Sequence, residues 1–273
     1  MTVTAPARAL RVAGAATPWV ADLVAGPAVL APVLHSGRDA VYLDLRGRGV
    51  GVLGARAALV PCGVRTTLPQ LPPLDAANVL VGGGSVELPG CSVDVVGSFG
   101  AEVGGIAEHR VRRAAVRAQE LATLSAGALD PVRALLPVEA LRGLATGDSS
   151  SVRHLLGRGP GLTPLGDDVL SGWLVTAVTT GHEALPPVRD AVAGYAARTT
   201  LLSATLLGCA ARGEALPQVR DLLHSLDGPP EASERALDRL VAVGGTSGAG
   251  LALGCLTALD RACLPPAAGG APR

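Results

Sequence analysis

The sequence predicts an α+β fold, with an N-terminal small β barrel or sandwich followed by a C-terminal helical bundle. Short apolar runs separated by Gly, Pro and Arg fill the first hundred residues, which is typical of strands joined by turns. Beyond them, apolar residues recur at helical spacing. We therefore expect a mainly β domain at 1–100, a helical domain at 101–264 and a disordered tail at 265–273, where Pro, Ala and Gly dominate.

Six short runs are expected to form the strands of the β domain. They are 41–45, 50–53, 58–60, 79–81, 86–88 and 93–96. Strands this short expose unpaired edges unless the sheet closes or packs on a second sheet. A barrel or a sandwich is therefore the expected arrangement.

The helical half is predicted from the longer periodic segments. They are 102–124, 131–144, 149–156, 167–180, 188–212, 218–226, 232–243 and 247–262. Several are apolar almost all round, which favours central positions in a bundle. The apolar stretch 241–259 is long enough to cross a bilayer, but its glycine-rich start is more typical of a loop that leads into a buried helix.

Charge and cysteine usage narrow the class of protein. The 23 basic residues balance the 23 acidic ones, so the sequence lacks the excess of cations typical of nucleic-acid binding. The cysteines are odd in number and show no zinc-ligand spacing; they are Cys62, Cys91, Cys209, Cys255 and Cys263. We expect free thiols in a reducing cytoplasm, with neither nucleic acid nor membrane as a partner.

The most specific feature is the segment Gly157 to Asp168, directly before a predicted helix. Its four glycines and two prolines place backbone N–H groups at a helix start, where a phosphate or carboxylate is favoured. We assign substrate binding to four residues and chemistry to the two aspartates; the set is Gly159, Gly161, Thr163, Gly166, Asp167 and Asp168. The alternative is a tight turn in which Asp167 only caps the helix.

The two adjacent carboxylates also bear on metal binding. Mg²⁺ is commonly held by one or two carboxylates together with substrate oxygens. Asp167 and Asp168 satisfy that pattern, so the sequence allows Mg²⁺ to accompany the substrate. Our expectation is a site without a resident cofactor or metal.

A second candidate is the hydroxyl-rich segment that begins at Arg198. Arg198 is expected to clamp an anion through its planar guanidinium, with Thr199 and Ser203 one turn apart beside it on a helix. Alternatively, the hydroxyls bond to the preceding helical turn and the arginine is solvated.

A third candidate is the glycine-rich segment 244–250. Thr246, Ser247 and Gly248 precede an apolar helix, where Ser247 is a suitable N-cap and free N–H groups favour an anion. Like Gly157 to Asp168, this segment is rich in glycine and leads into a predicted helix. We expect the two to face each other across one pocket.

From the β half, His35 and Ser36 precede the first clear strand and are added to the substrate-binding set. A histidine near a loop is also a common surface residue. The sequence offers no Ser/His/Asp set, dinucleotide fingerprint or P-loop lysine, which argues against the commonest hydrolases, dehydrogenases and nucleotide kinases.

Three of these segments together carry a resemblance to a known family. The runs 159–168, 198–200 and 246–248 resemble the signature of the AllH-type subunit of oxamate carbamoyltransferase, as do His35 and Ser36 before a strand. The similarity extends from about residue 30 to residue 262. The chain departs from the family pattern at Arg158, Leu165, Gly245 and Gly250.

The resemblance implies a role in purine-nitrogen (allantoin) degradation. Such an enzyme converts oxalurate and phosphate to oxamate and carbamoyl phosphate, in a complex with two other subunit types. Asp168 is then expected to orient or deprotonate the attacking group, and Arg198 to pair with a carboxylate or phosphate. The alternative is a non-catalytic subunit that binds an anion or assists assembly while partner chains perform the chemistry.

Overall fold

A computed structural model describes residues 10–75 and 77–259. The predicted tail 265–273, Cys263 and the end of the last predicted helix lie outside these residues. The described residues form two compact units. The barrel unit contains the residues up to Ala101 together with Leu201–Leu206, and the helical unit contains Glu102–Thr200 and the residues from Leu207 onward.

The strands of the described residues all belong to the barrel unit. They are β1 (Leu10–Ala16), β2 (Val29–Ser36), β3 (Ala40–Asp44), β4 (Gly49–Leu53), β5 (Gly63–Thr66), β6 (Asn78–Gly82), β7 (Ser85–Leu88) and β8 (Cys91–Ser98). Five of the six predicted runs fall in β3, β4, β6, β7 and β8. The sixth, 58–60, is irregular chain before β5.

The strands close into a barrel in the order β1-β5-β4-β3-β2-β6-β7-β8. The pairs β1–β8 and β4–β5 are parallel, and the other pairs are antiparallel. Alternate residues point into the barrel, as the two-residue period of a strand requires. On β3, for example, Val41 and Leu43 are buried in the apolar core. Closure leaves no sheet edge unpaired.

The predicted fold class needs correction. Of the two arrangements expected for the sheet, the closed barrel is present and the sandwich is wrong. A helix, α1 (Pro18–Ala25), lies inside the β half between β1 and β2, begins at a proline and buries Val20 and Val24. Residues 201–206 of the predicted helical bundle group with the barrel, where Gly49 N–H donates a 2.8 Å hydrogen bond to Thr205 Oγ1.

Helices make up most of the helical unit. They are α2 (Glu108–Leu124), α3 (Ala126–Arg133), α4 (Val138–Ala145), α5 (Val152–Leu155), α6 (Leu165–Thr180), α7 (Leu185–Tyr195), α8 (Leu201–Ala210), α9 (Pro217–Ser225), α10 (Pro230–Val241) and α11 (Ser247–Ala258); the first six residues of α8 group with the barrel. Short 3-10 turns occupy Ser149–Ser151 and Ala196–Arg198. Within 10–75 and 77–259, none of the helices combines the length and the continuous apolar character that a membrane crossing needs.

Helices α6 and α11 pack with their backbones almost in contact. A Cβ at Gly172 would lie 2.1 Å from the carbonyl oxygen of Leu251, and one at Gly254 would lie 2.0 Å from that of Val169. Gly250, one turn earlier, instead faces the first turn of α6. The two helices therefore run in the same direction where they touch, and their N-termini lie at the same end.

Candidate functional site

The starts of α6 and α11 meet through side chains as well as backbone. Thr163 Oγ1 and Ser247 Oγ lie 3.0 Å apart, and a Cβ at Gly250 would lie 2.9 Å from Asp168 Cβ. The segments that contain Gly157 to Asp168 and Gly244 to Gly250 thus come together. Both helix dipoles direct their positive ends toward this place. We call Thr163, Asp168 and Ser247 the acid–hydroxyl cluster.

Asp168 lies at the centre of this cluster and is only 6% exposed. Burial raises the pKa of Asp168 to about 8; the hydroxyls of Ser247 and Thr163 act in the opposite direction, and the neighbouring Asp167 adds to the increase. Its buried Oδ2 atom has no hydrogen-bond partner among the described residues. At neutral pH the carboxyl group is therefore mostly protonated, with one buried oxygen that lacks a hydrogen-bond partner.

Asp167 has a different role from its neighbour. It is 1% exposed, and its Oδ1 accepts a 2.6 Å hydrogen bond from the Gly157 N–H. Its Oδ2 accepts a hydrogen bond from the Thr199 hydroxyl. Asp167 thereby joins the glycine-rich segment, the first turn of α6 and the chain around residue 199. This geometry makes it a positioning residue.

Neither residue considered as a helix cap acts as one. Pro164 occupies the N-cap position of α6 and makes no side-chain cap bond, so Asp167 lies inside the first turn. Thr246 is the N-cap of α11, again without a side-chain cap bond, and Ser247 is the first helical residue. Thr246 is exposed, and its carbonyl oxygen accepts a 2.9 Å hydrogen bond from the Gly250 N–H.

The glycines of the two segments divide into two groups. A Cβ at Gly166 would lie 1.9 Å from the Leu155 carbonyl oxygen, and one at Gly248 would lie 1.9 Å from that of Leu240. These two glycines are explained by close backbone packing. Gly159 and Gly161 are exposed, and a Cβ at Gly161 would meet no atom within 4 Å. Gly159 and Gly161 have φ angles of 117° and 96°, which residues with a side chain rarely adopt.

The segment that begins at Arg198 is not the predicted helix interior. Arg198 ends a 3-10 turn, and Thr199 is extended with φ −125° and ψ −179°. The Thr199 hydroxyl binds Asp167, and the Thr200 hydroxyl donates to the Leu162 carbonyl oxygen at 2.5 Å. These hydrogen bonds hold a break in the helix around residue 199. Thr199 and Ser203 therefore do not lie on one helical face.

The remaining predicted site residues belong to the barrel unit. His35 and Ser36 end β2, with the His35 ring 6.5 Å from that of Tyr42. Ser203 is buried in the part of α8 that groups with the barrel. Their participation in substrate binding stays a prediction.

The Arg198 side chain lines a pocket that sequence reasoning missed. This pocket, which we call the arginine pocket, has a volume of about 340 Å³ and is lined by Arg153, His154, Arg158, Arg198 and neighbouring apolar and glycine residues. Its lining does not include the acid–hydroxyl cluster. The close spacing of Arg153 and Arg158 on either side of Leu156 could have indicated this pocket. It was not a specific signal, because exposed arginines are usually solvated.

Metal ligands are sparse in the described part of the chain. No group of three or more His, Cys, Asp or Glu side chains within it is placed to hold a metal ion. Asp167 already accepts hydrogen bonds from Gly157 and Thr199. Of the two adjacent carboxyl groups, Asp168 has the buried oxygen without a hydrogen-bond partner.

Comparison with known proteins gives a family for the helical segment. The family model described as oxamate carbamoyltransferase subunit AllH matches residues 155–259, which contain both glycine-rich segments and the acid–hydroxyl cluster. None of the solved structures matches the chain. The match supports the resemblance drawn from the motifs at 159–168, 198–200 and 246–248, and residues 155–259 are similar to the AllH subunits of oxamate carbamoyltransferase.

Proposed function

We propose that this chain is a subunit of an oxamate carbamoyltransferase that converts oxalurate and phosphate to oxamate and carbamoyl phosphate. The family match supports the subunit role. One structural observation supports the choice of Asp168 as the centre of the active site. Asp168 is buried between the starts of two same-direction helices, with an unpartnered carboxyl oxygen beside two hydroxyls.

In the proposed transfer, a phosphate oxygen forms a bond to the terminal carbamoyl carbon of oxalurate. The bond from that carbon to the inner nitrogen breaks, so the departing oxamate nitrogen must gain a proton. Asp168 is suited to donate this proton because burial holds its pKa at about 8. The proton lost by the phosphate then restores the acid. This role replaces deprotonation of the attacking group, which would need an ionised Asp168.

The surroundings of Asp168 suit the developing negative charge. The positive ends of the α6 and α11 dipoles point toward the cluster, and charge stabilisation of this kind is strong where water is excluded. Thr163 and Ser247 present hydroxyls that can donate to a carbonyl or carboxylate oxygen. We propose that oxalurate is held there, with Asp167 maintaining the geometry of the loop.

The proposal includes partner subunits of two other types and a cytoplasmic location in purine-nitrogen catabolism. Of the described cysteines, Cys91 and Cys255 are buried free thiols, which suits a reducing compartment. It includes no resident metal; any Mg²⁺ would arrive with the phosphate oxygens and meet Asp168 alone of the two aspartates.

The test is turnover of the reconstituted complex, measured as carbamoyl phosphate formed from oxalurate and phosphate. Asp168→Asn retains the shape of the neutral acid but cannot transfer the proton, so kcat should fall by about a hundredfold or more. The exposed Asp190→Asn on α7 is the matched control. Unchanged turnover in Asp168→Asn would exclude the proposed role. Anion binding without turnover by the wild-type complex would identify a non-catalytic binding subunit.

A further inference from the structure

We infer that the arginine pocket and an adjoining pocket together bind an organic phosphate monoester, at a site separate from the acid–hydroxyl cluster. The adjoining pocket has a volume of about 420 Å³ and is lined by Ser149, Ser150, Arg153, Ala191, Gly194 and Tyr195. Arg153 lines both pockets. This site goes beyond the proposed transfer reaction and does not require it.

The cations of the arginine pocket are available for a ligand. Among the described residues, Arg153, Arg158 and Arg198 make no ion pair with a carboxylate. Some other arginines do pair with a carboxylate; Arg110, for example, binds Asp227 through two nitrogens. Three guanidinium groups around one pocket repel each other unless an anion is present. A phosphate dianion is the guest that neutralises most of this charge and accepts paired N–H groups.

Two neighbours orient the guanidinium groups. Arg153 Nε donates a 2.9 Å hydrogen bond to His154 Nε2, and the Arg198 guanidinium lies 5.6 Å from the centre of the Tyr195 ring. Since Tyr195 also lines the adjoining pocket, the two pockets meet at Arg153 and at the Arg198–Tyr195 contact. A phosphate held by the arginines would have its ester oxygen at this junction.

The adjoining pocket defines the class of the organic group. It is lined by the aromatic Tyr195 and by Ser149 and Ser150, and the Ser150 hydroxyl already donates to Asp148 at 2.8 Å. A ring that carries hydroxyl groups matches these surroundings better than an alkyl chain, because it can stack and also form hydrogen bonds. The combined volume suits a small phosphorylated molecule such as a nucleoside or sugar monophosphate.

The experiment is calorimetric titration of the full chain with adenosine monophosphate, ribose 5-phosphate, inorganic phosphate and uncharged adenosine. We expect the better of the two esters to bind at least tenfold more tightly than inorganic phosphate or adenosine. Arg153→Gln and Arg158→Gln should each reduce that affinity about tenfold, since each removes one charge-assisted contact. Arg112→Gln, at an exposed arginine of α2 outside both pockets, is the matched control and should bind as wild type.

Asp168→Asn separates this proposal from the transfer reaction, because it should lose turnover and keep ester binding. Equal affinity for ester and inorganic phosphate would overturn the two-pocket site. Failure of the wild type to bind either ester, or unchanged ester affinity in both Arg153→Gln and Arg158→Gln, would overturn the proposal as a whole. Thermal melts of all variants establish that each is folded.

Discussion

The barrel unit and the helical unit differ in how completely their buried polar side chains are hydrogen bonded. In the barrel, Thr17 donates to the Pro61 carbonyl oxygen at 2.9 Å, and Thr66 donates to that of Leu53 at 3.0 Å. All of the buried side-chain atoms without a partner in the described residues lie in the helical unit; they are Asp168 Oδ2, Trp173 Nε1, His182 Nε2 and Gln218 Oε1. Such atoms reduce stability, so their concentration in one unit indicates where function constrains the sequence.

The difference has a structural origin. A closed barrel satisfies its backbone groups through neighbouring strands and buries alternate Val and Leu side chains. The contact between α6 and α11 instead brings two helix starts together and removes side chains at Gly172 and Gly254. A helix start has unpaired N–H groups and a positive field. The helical unit therefore supplies reactive groups where the barrel supplies stability.

The largest expected effect is a loss of the α6–α11 contact. Gly172→Ala would place a methyl group 2.1 Å from a carbonyl oxygen, which the packed backbones cannot relieve. We expect the free energy of unfolding to fall by about 3 kcal/mol or more. Gly127→Ala on α3, where a Cβ meets no atom within 4 Å, is the control and should be neutral or slightly stabilising. Equal melting temperatures for the two variants would show that the contact is loose.

A smaller loss is expected at Asp167. Asp167→Ala leaves the Gly157 N–H and the Thr199 hydroxyl without their acceptor, which should cost about 2 to 3 kcal/mol of unfolding free energy. Asp130→Ala, at an exposed aspartate paired with Arg133, provides the matched comparison in chemical denaturation. If both variants unfold at the same denaturant concentration, Asp167 does not hold the loop.

The two units should also differ in how the free energy of unfolding depends on pH. The pKa of Asp168 is raised by folding, so the stability of its protonated form is fully present below about pH 4 and is lost as pH rises through about 8. In this window the unfolding free energy of wild type should fall relative to Asp168→Asn by as much as about 1.4 kcal/mol per pH unit. Thr17→Val, which removes a satisfied bond in the barrel, should cost about 1 kcal/mol independently of pH. Parallel pH profiles for wild type and Asp168→Asn would contradict this difference.

The smallest expected effect concerns Arg198. Arg198→Lys keeps the charge but loses the planar fork and its position over Tyr195. Because the side chain is exposed, we expect the affinity for a phosphate monoester to fall only about threefold to tenfold. Calorimetry on wild type and variant measures it, and unchanged affinity would mean that Arg198 is solvated.

The sequence predicted the parts of the fold that follow local patterns. The apolar runs of β3 and the glycine-rich start of α11 were assigned correctly. By contrast, β1 was missed because its Ala and Gly content resembles irregular chain, and α1 because it is only 8 residues long. The break around Thr199 depends on a tertiary hydrogen bond to Asp167, which helical periodicity cannot reveal. Within the site, the sequence indicated both glycine-rich segments. It could not show that both carboxyl oxygens of Asp167 accept hydrogen bonds while one buried oxygen of Asp168 has no partner.

The central claim is that Asp168 is a buried, protonated acid at neutral pH. Its most direct test is a titration of the side-chain carboxyl carbons by ¹³C NMR in the folded full chain, with the Asp168→Asn spectrum identifying the Asp168 resonance. The structure predicts that this resonance titrates near pH 8, because burial disfavours the charged form of the carboxyl group. A midpoint for Asp168 near pH 4 would contradict both its burial and its role as the proton donor.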